Sequence, residues 1–75
     1  MNAREAFAQV LREKRKQQKL TQDELAELAE MSTRYISMLE TNKKQATLST
    51  IDSLAKALDT TKTEILRSVE ELEKK

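Results

Sequence analysis

Apolar residues recur three and four positions apart along most of the chain, in five blocks separated by short polar stretches. Residues at that spacing share one face of an α-helix, so each block predicts an amphipathic helix with one face turned to a common core. The first block carries Phe7, Val10 and Leu11 and predicts a helix over about Ala3 to Gln18 whose other faces are charged. The second carries Leu25, Leu28 and Ala29, and the third Ile36 and Leu39. Leu48, Ile51, Leu54, Ala55 and Leu58 mark the fourth, and Ile65, Leu66, Val69 and Leu72 the fifth.

Start signals fall where the periodicity needs them. Thr21 followed by Glu24 has the spacing of a capping box, in which the hydroxyl accepts from a backbone N–H three residues on and the carboxylate reaches back to the cap's own N–H. A second helix therefore runs from Gln22 to Ala29. Ser32 offers a cap for a short third helix over 33–40, and Thr47 or Ser49 opens the fourth. Thr61 with Glu64 repeats the capping-box spacing and places the last helix at about 62–73.

Composition narrows the class. A chain of 75 residues has room for one small core, so one domain over 1–75 is expected, and the absence of Gly and Pro together with abundant Ala, Leu, Glu, Lys, Gln and Arg makes it all-α. With no Cys and no His, disulfides, thiolate metal sites and the commonest general base are excluded, and the carboxylates lie scattered among Lys and Arg. An enzyme, a metal site or a bound cofactor is not expected, nor is a small-molecule ligand. Apolar runs reach only two or three residues, so neither a signal peptide nor a membrane span is expected, and the apolar side chains of the first helix are needed by the core rather than by a membrane surface. A cytoplasmic location follows as the expectation.

Net charge is only +1, but its distribution is uneven. Residues 1–44 hold nine basic and seven acidic side chains, with Arg12, Lys14, Arg15, Lys16 and Lys19 close together and Lys43 beside Lys44, whereas residues 45–75 hold five basic and six acidic ones. A basic side and a slightly acidic side fit a nucleic-acid-binding face; a solvated helix surface is the competing reading.

Helices over 22–29 and 33–40 are joined by three residues, and a turn that short sets two helices at a steep angle, with the second free to enter a major groove. The segment TQDELAELAEMSTRYISMLE, positions 21 to 40, resembles the helix-turn-helix of the Cro, phage-repressor and Xre family, which includes restriction-modification controller proteins. TNKKQATLSTIDSLAKAL, positions 41 to 58, resembles that family's basic loop and fourth helix, so the resemblance covers about residues 7 to 66. It implies a five-helix, lambda-repressor-like domain that binds double-stranded DNA and regulates transcription. Glu30 and Asn42 stand where the family often has Gly, and a positive φ is expected at both, at about 1 kcal/mol for the glutamate and less for the asparagine.

Roles follow from this register. Thr33, Arg34, Ser37 and Met38 on the recognition helix are the expected base readers; Arg34 can hold guanine O6 and N7 with two parallel hydrogen bonds, while Met38 can only meet a thymine methyl or a sugar. Gln22, Ser32, Tyr35, Thr41, Asn42, Lys43 and Lys44 are expected at phosphates, which position the protein without reading sequence. For Lys43 and Lys44 the competing reading is plain solubilising charge, and for Tyr35 it is packing on the domain. The resemblance further implies a structural salt bridge between Arg15 and Glu40. A domain this small reads few base pairs alone, so a homodimer on a palindromic operator is expected, with Ile65, Val69 and Leu72 extending the last stripe into a dimer interface; the competing reading is that the stripe packs back on the first or fourth helix. RNA polymerase is a further candidate partner. The alternative is an antitoxin or adaptor of the same fold whose main partner is a protein.

Overall fold

Every helix in the computed structural model, which describes residues 1–75, begins at a side chain that closes its first turn. The helices are α1 (Ala3–Gln17), α2 (Gln22–Ala29), α3 (Thr33–Glu40), α4 (Leu48–Ala57) and α5 (Lys62–Glu73), and there is no strand. Asn2, Thr21, Ser32, Thr47 and Thr61 are the caps, each accepting from a backbone N–H three residues on. Thr47, not Ser49, therefore opens α4. The reciprocal capping box forms at Thr21 with Glu24, and also at Asn2 with Glu5, which the apolar pattern did not reveal. At Thr61 only the hydroxyl half forms, because the Glu64 carboxylate accepts from Arg67 at 3.1 Å instead.

The four connections share one solution. Lys19, Glu30, Asn42 and Asp59 have φ between 56° and 60°, one after each of α1 to α4. At each, the residue after the left-handed one donates its N–H to a carbonyl five positions back: Leu20 to Arg15, Met31 to Ala26, Lys43 to Met38 and Thr60 to Ala55. The left-handed residue itself donates three positions back. This is the Schellman pattern, which satisfies carbonyls that a helix end leaves open and is normally completed by glycine. Without any glycine, the chain places side chains there that carry the steric cost.

Fifteen buried side chains form one core, centred on Leu11, Leu25, Ile36, Leu39, Leu54, Leu58 and Ile65. α1 lies between α3 and α5, while α2 packs on α3 and α4. Two expected core positions turn outward: Leu28 is 58% exposed and Leu48 68%. Packing against two helices at once turns Leu25, Ala26 and Ala29 inward on α2, so Leu28 faces solvent.

Two of the three side chains expected at a dimer interface also go elsewhere. Ile65 and Val69 are buried in the core of the single chain, and Leu72 is half-buried against the same cluster. The reason is the pairing of α5 with α1, which brings the two terminal helices together and uses most of the α5 stripe internally, leaving only Leu66 exposed. No helix is long and apolar enough to cross a membrane.

Candidate nucleic-acid interface

The turn between α2 and α3 is built by Glu30, Met31 and Ser32. Glu30 takes the left-handed conformation, Met31 closes onto Ala26, and the Ser32 hydroxyl accepts from the Tyr35 N–H at 3.0 Å. A second tie crosses the angle between the helices: the Thr33 hydroxyl donates to Asp23 Oδ1 at 2.7 Å, joining the first turn of α2 to the first turn of α3. The N-terminal end of α3 is thus fixed from both sides.

Its C-terminal end is fixed by Glu40, the one buried charged residue. Arg15 on α1 donates Nε to Oε2 at 2.7 Å and Nη2 to Oε1 at 3.0 Å, a two-pronged contact that matches the planar guanidinium to the planar carboxylate. Gln22 on α2 adds Nε2 to Oε1 at 3.0 Å, and Arg12 on α1 donates to the Glu40 backbone carbonyl. Arg15 also donates Nη1 to the carbonyl of Leu20 at 2.9 Å, tying the α1–α2 turn into the same cluster. The hydrogen bonds to Glu40 raise the Arg15 pKa above its ordinary value, against the opposing effect of desolvation. A carboxylate this deep in the fold needs several donors to offset its lost hydration, and Arg15 and Gln22 supply three N–H groups.

The network changes what several side chains are free to do. Thr33 has spent its hydroxyl proton on Asp23, which leaves its methyl and oxygen lone pairs for a ligand. Gln22, expected at a phosphate, turns its amide inward because the buried Glu40 carboxylate calls for a third donor; one N–H and the carbonyl oxygen remain. Thr41 likewise donates its hydroxyl to the Ser37 carbonyl at 2.8 Å, closing the last turn of α3, and cannot also donate it to a phosphate.

Other positions remain available. Arg34 is exposed, in the first turn of α3, with no hydrogen bond or ion pair inside the protein. Ser37 and Met38 lie one turn further along, four residues after Thr33 and Arg34, and are half-buried. Ser32 accepts through its oxygen and keeps its proton to donate. Tyr35 is half-buried with its ring against the core and its hydroxyl unbonded. Asn42 sits at the left-handed turn after α3, and Lys43 and Lys44 follow it, exposed and without acidic partners.

Arg12 and Asp23 carry no contact expected from the sequence, yet both hold the recognition helix in place. The placement of Arg12 three residues before Arg15, on one face of α1, is the signal that would have paired them; Asp23 has no comparable sign, because its partner is reached across a turn.

Residues 11–65 match the family described as Helix-turn-helix. The control protein C.SmaI of Serratia marcescens is 36% identical over 66 residues, which cover 88% of this chain and 79% of that protein. Among solved structures, the clp gene regulator ClgR from C. glutamicum superposes with a TM-score of 0.86 at 30% identity, over 93% of this chain and 91% of that one. The restriction-modification controller protein C.AhdI from Aeromonas hydrophila does so with a TM-score of 0.79 at 34% identity, over 81% of this chain and 92% of its own.

Proposed function

The chain belongs to the helix-turn-helix family of DNA-binding transcriptional regulators, and we propose that it holds a palindromic operator as a homodimer. The observation that carries this reading is Arg34. It stands exposed in the first turn of α3 with no partner inside the protein, while both ends of that helix are locked by Asp23 and by the Glu40 cluster. A rigid helix that presents an uncommitted guanidinium fits direct reading of a base edge in the major groove.

In this arrangement the whole chain acts as one binding domain without catalysis, in the cytoplasm. Two copies set their α3 helices in successive major grooves about 34 Å apart. Arg34, Ser37 and Met38 face the base edges, Thr33 offering only its methyl and lone pairs. Ser32, Tyr35, Asn42, Lys43 and Lys44 hold phosphates on either side, with the outward N–H of Gln22 as a further donor. Bound across a promoter, the dimer blocks transcription; bound upstream, its outer surface meets RNA polymerase.

Selection of sites from a random duplex library with the purified protein tests the proposal. A palindromic sequence should enrich, with affinity at least about 10³-fold above a scrambled duplex and a steep loss of binding between about 50 and 200 mM salt. Failure of any sequence to enrich would overturn the reading.

A further inference from the structure

The cover over the core is thinnest at one point. Phe7 of α1, Ile51 of α4 and Val69 of α5 keep 9%, 7% and 6% of their surface in solvent, more than any other core side chain except Ala29. All three line one depression of about 210 Å³, together with Leu66 of α5, which is 39% exposed. Two cations line it as well, Arg4 from the first turn of α1 and Lys44 from the loop before α4, and no acidic side chain does. Both cations are exposed and without an ion pair. The acids that neighbour the lining residues in sequence are engaged elsewhere: Glu5 accepts from the Asn2 N–H, Asp52 pairs with Lys56 at 3.2 Å and Glu70 with Lys74 at 3.8 Å. The depression is therefore apolar and carries two uncompensated positive charges.

We infer that this depression binds a small monocarboxylate with an apolar body, of the medium-chain fatty acid type, and that the bound ligand takes Lys44 away from DNA. An aliphatic tail laid against Phe7, Ile51, Leu66 and Val69 removes apolar surface of both molecules from water. The carboxylate then meets the Arg4 guanidinium, whose planar fork matches its two oxygens, and the Lys44 ammonium, which acts as a point charge. A volume below the roughly 300–1,000 Å³ of sites for larger molecules restricts the occupant to a small one. Lys44 lies in the loop assigned to phosphates, so a carboxylate bound to it competes with the DNA backbone for the same charge. The site belongs to the free chain; only its effect on an operator rests on the DNA-binding reading.

Titration calorimetry of the full chain with octanoate, and with octanol as the same tail without the charge, tests the site. Octanoate should bind saturably with Kd on the order of 0.1–1 mM, and octanol at least about tenfold more weakly. Arg4→Ala should weaken octanoate at least about tenfold, Arg4→Lys less, and Leu66→Glu should abolish binding by setting a carboxylate in the depression, with thermal unfolding as a check that each variant is folded. On operator DNA, saturating octanoate should weaken wild-type binding and reduce the slope of log affinity against log salt by about 1, whereas Lys44→Ala, with no ammonium left to lose, should keep its slope. Absence of saturable binding, equal affinity for octanol, or full affinity in Arg4→Ala would overturn the site. Octanoate binding that leaves the wild-type salt slope unchanged would overturn the effect on DNA and leave the DNA-binding reading standing. A chain that selects no operator would overturn that reading and the effect on DNA together, and calorimetry would still decide the site.

Discussion

Arg15 of α1 and Glu40 of α3 face each other in plane, with Nε on Oε2 at 2.7 Å and Nη2 on Oε1 at 3.0 Å. Their side chains keep only 13% and 2% of their surface in solvent, so the pair is desolvated as well as well aligned. Twenty-five positions separate them in sequence. Their contact carries the position of the recognition helix onto α1, and Gln22 and Arg12 repeat that link from α2 and from a second point on α1.

Removing the carboxylate should be costly. Glu40→Ala leaves the Arg15 guanidinium and the Gln22 amide without their acceptor, and is expected to lower stability by about 3–5 kcal/mol, a large part of the roughly 5–15 kcal/mol that holds a small domain together. Replacing both partners, Arg15→Met with Glu40→Leu, should cost clearly less than Glu40→Ala, since no charge is then stranded. Urea unfolding of the three proteins checks this, and a double variant as unstable as Glu40→Ala would contradict it.

Arg34→Ala should leave unfolding unchanged, because the side chain is exposed and makes no hydrogen bond or ion pair inside the protein. On DNA it should lose about 1–3 kcal/mol of discrimination at one base pair in each half-site. Comparing affinities for the four operator variants at that position with wild-type and variant protein reads the effect; a uniform loss on all four would show a phosphate contact instead.

Lys43→Ala and Lys44→Ala are expected to behave in the opposite manner. Each should weaken specific and scrambled duplexes alike and reduce the slope of log affinity against log salt by about 1. An unchanged slope would return these lysines to plain surface charge.

The bond from Thr33 to Asp23 predicts coupling. Asp23→Ala and Thr33→Val should each cost about 0.5–1.5 kcal/mol of stability, and the double variant little more than either alone. Operator affinity should fall in step, since the same bond sets the start of α3. Strict additivity in unfolding would show that the two side chains act independently.

Glycine should improve two of the turns. Lys19→Gly and Glu30→Gly relieve a left-handed conformation and should stabilise the fold by up to about 1 kcal/mol each, partly offset by the freedom glycine adds to the unfolded chain. Asn42→Gly and Asp59→Gly should gain less, because Asn and Asp tolerate that region better. Thermal midpoints rank the four variants, and a loss at Glu30 would show that its side chain has a role in the turn.

Five helices, their caps at Thr21, Ser32 and Thr61, and a core holding Leu11, Ile36, Leu39 and Leu54 were legible in the chain itself. These features are local: a 3.6-residue period and a hydroxyl at a fixed offset from an N–H depend on neighbours within a turn. Positive φ at Glu30 and Asn42 could be anticipated from resemblance, while Lys19 and Asp59 could not, because no glycine marks them. Only the tertiary structure decided the rest. How far each helix is rotated about its axis exposes Leu28 and Leu48, and the meeting of α5 with α1 draws Ile65 and Val69 into the core. The buried carboxylate of Glu40 decides that Gln22 turns inward, and the angle between α2 and α3 brings Asp23 to Thr33. Each of these depends on groups ten or more positions apart competing for the same donors and the same buried area, and nothing in a local pattern records which of them will meet.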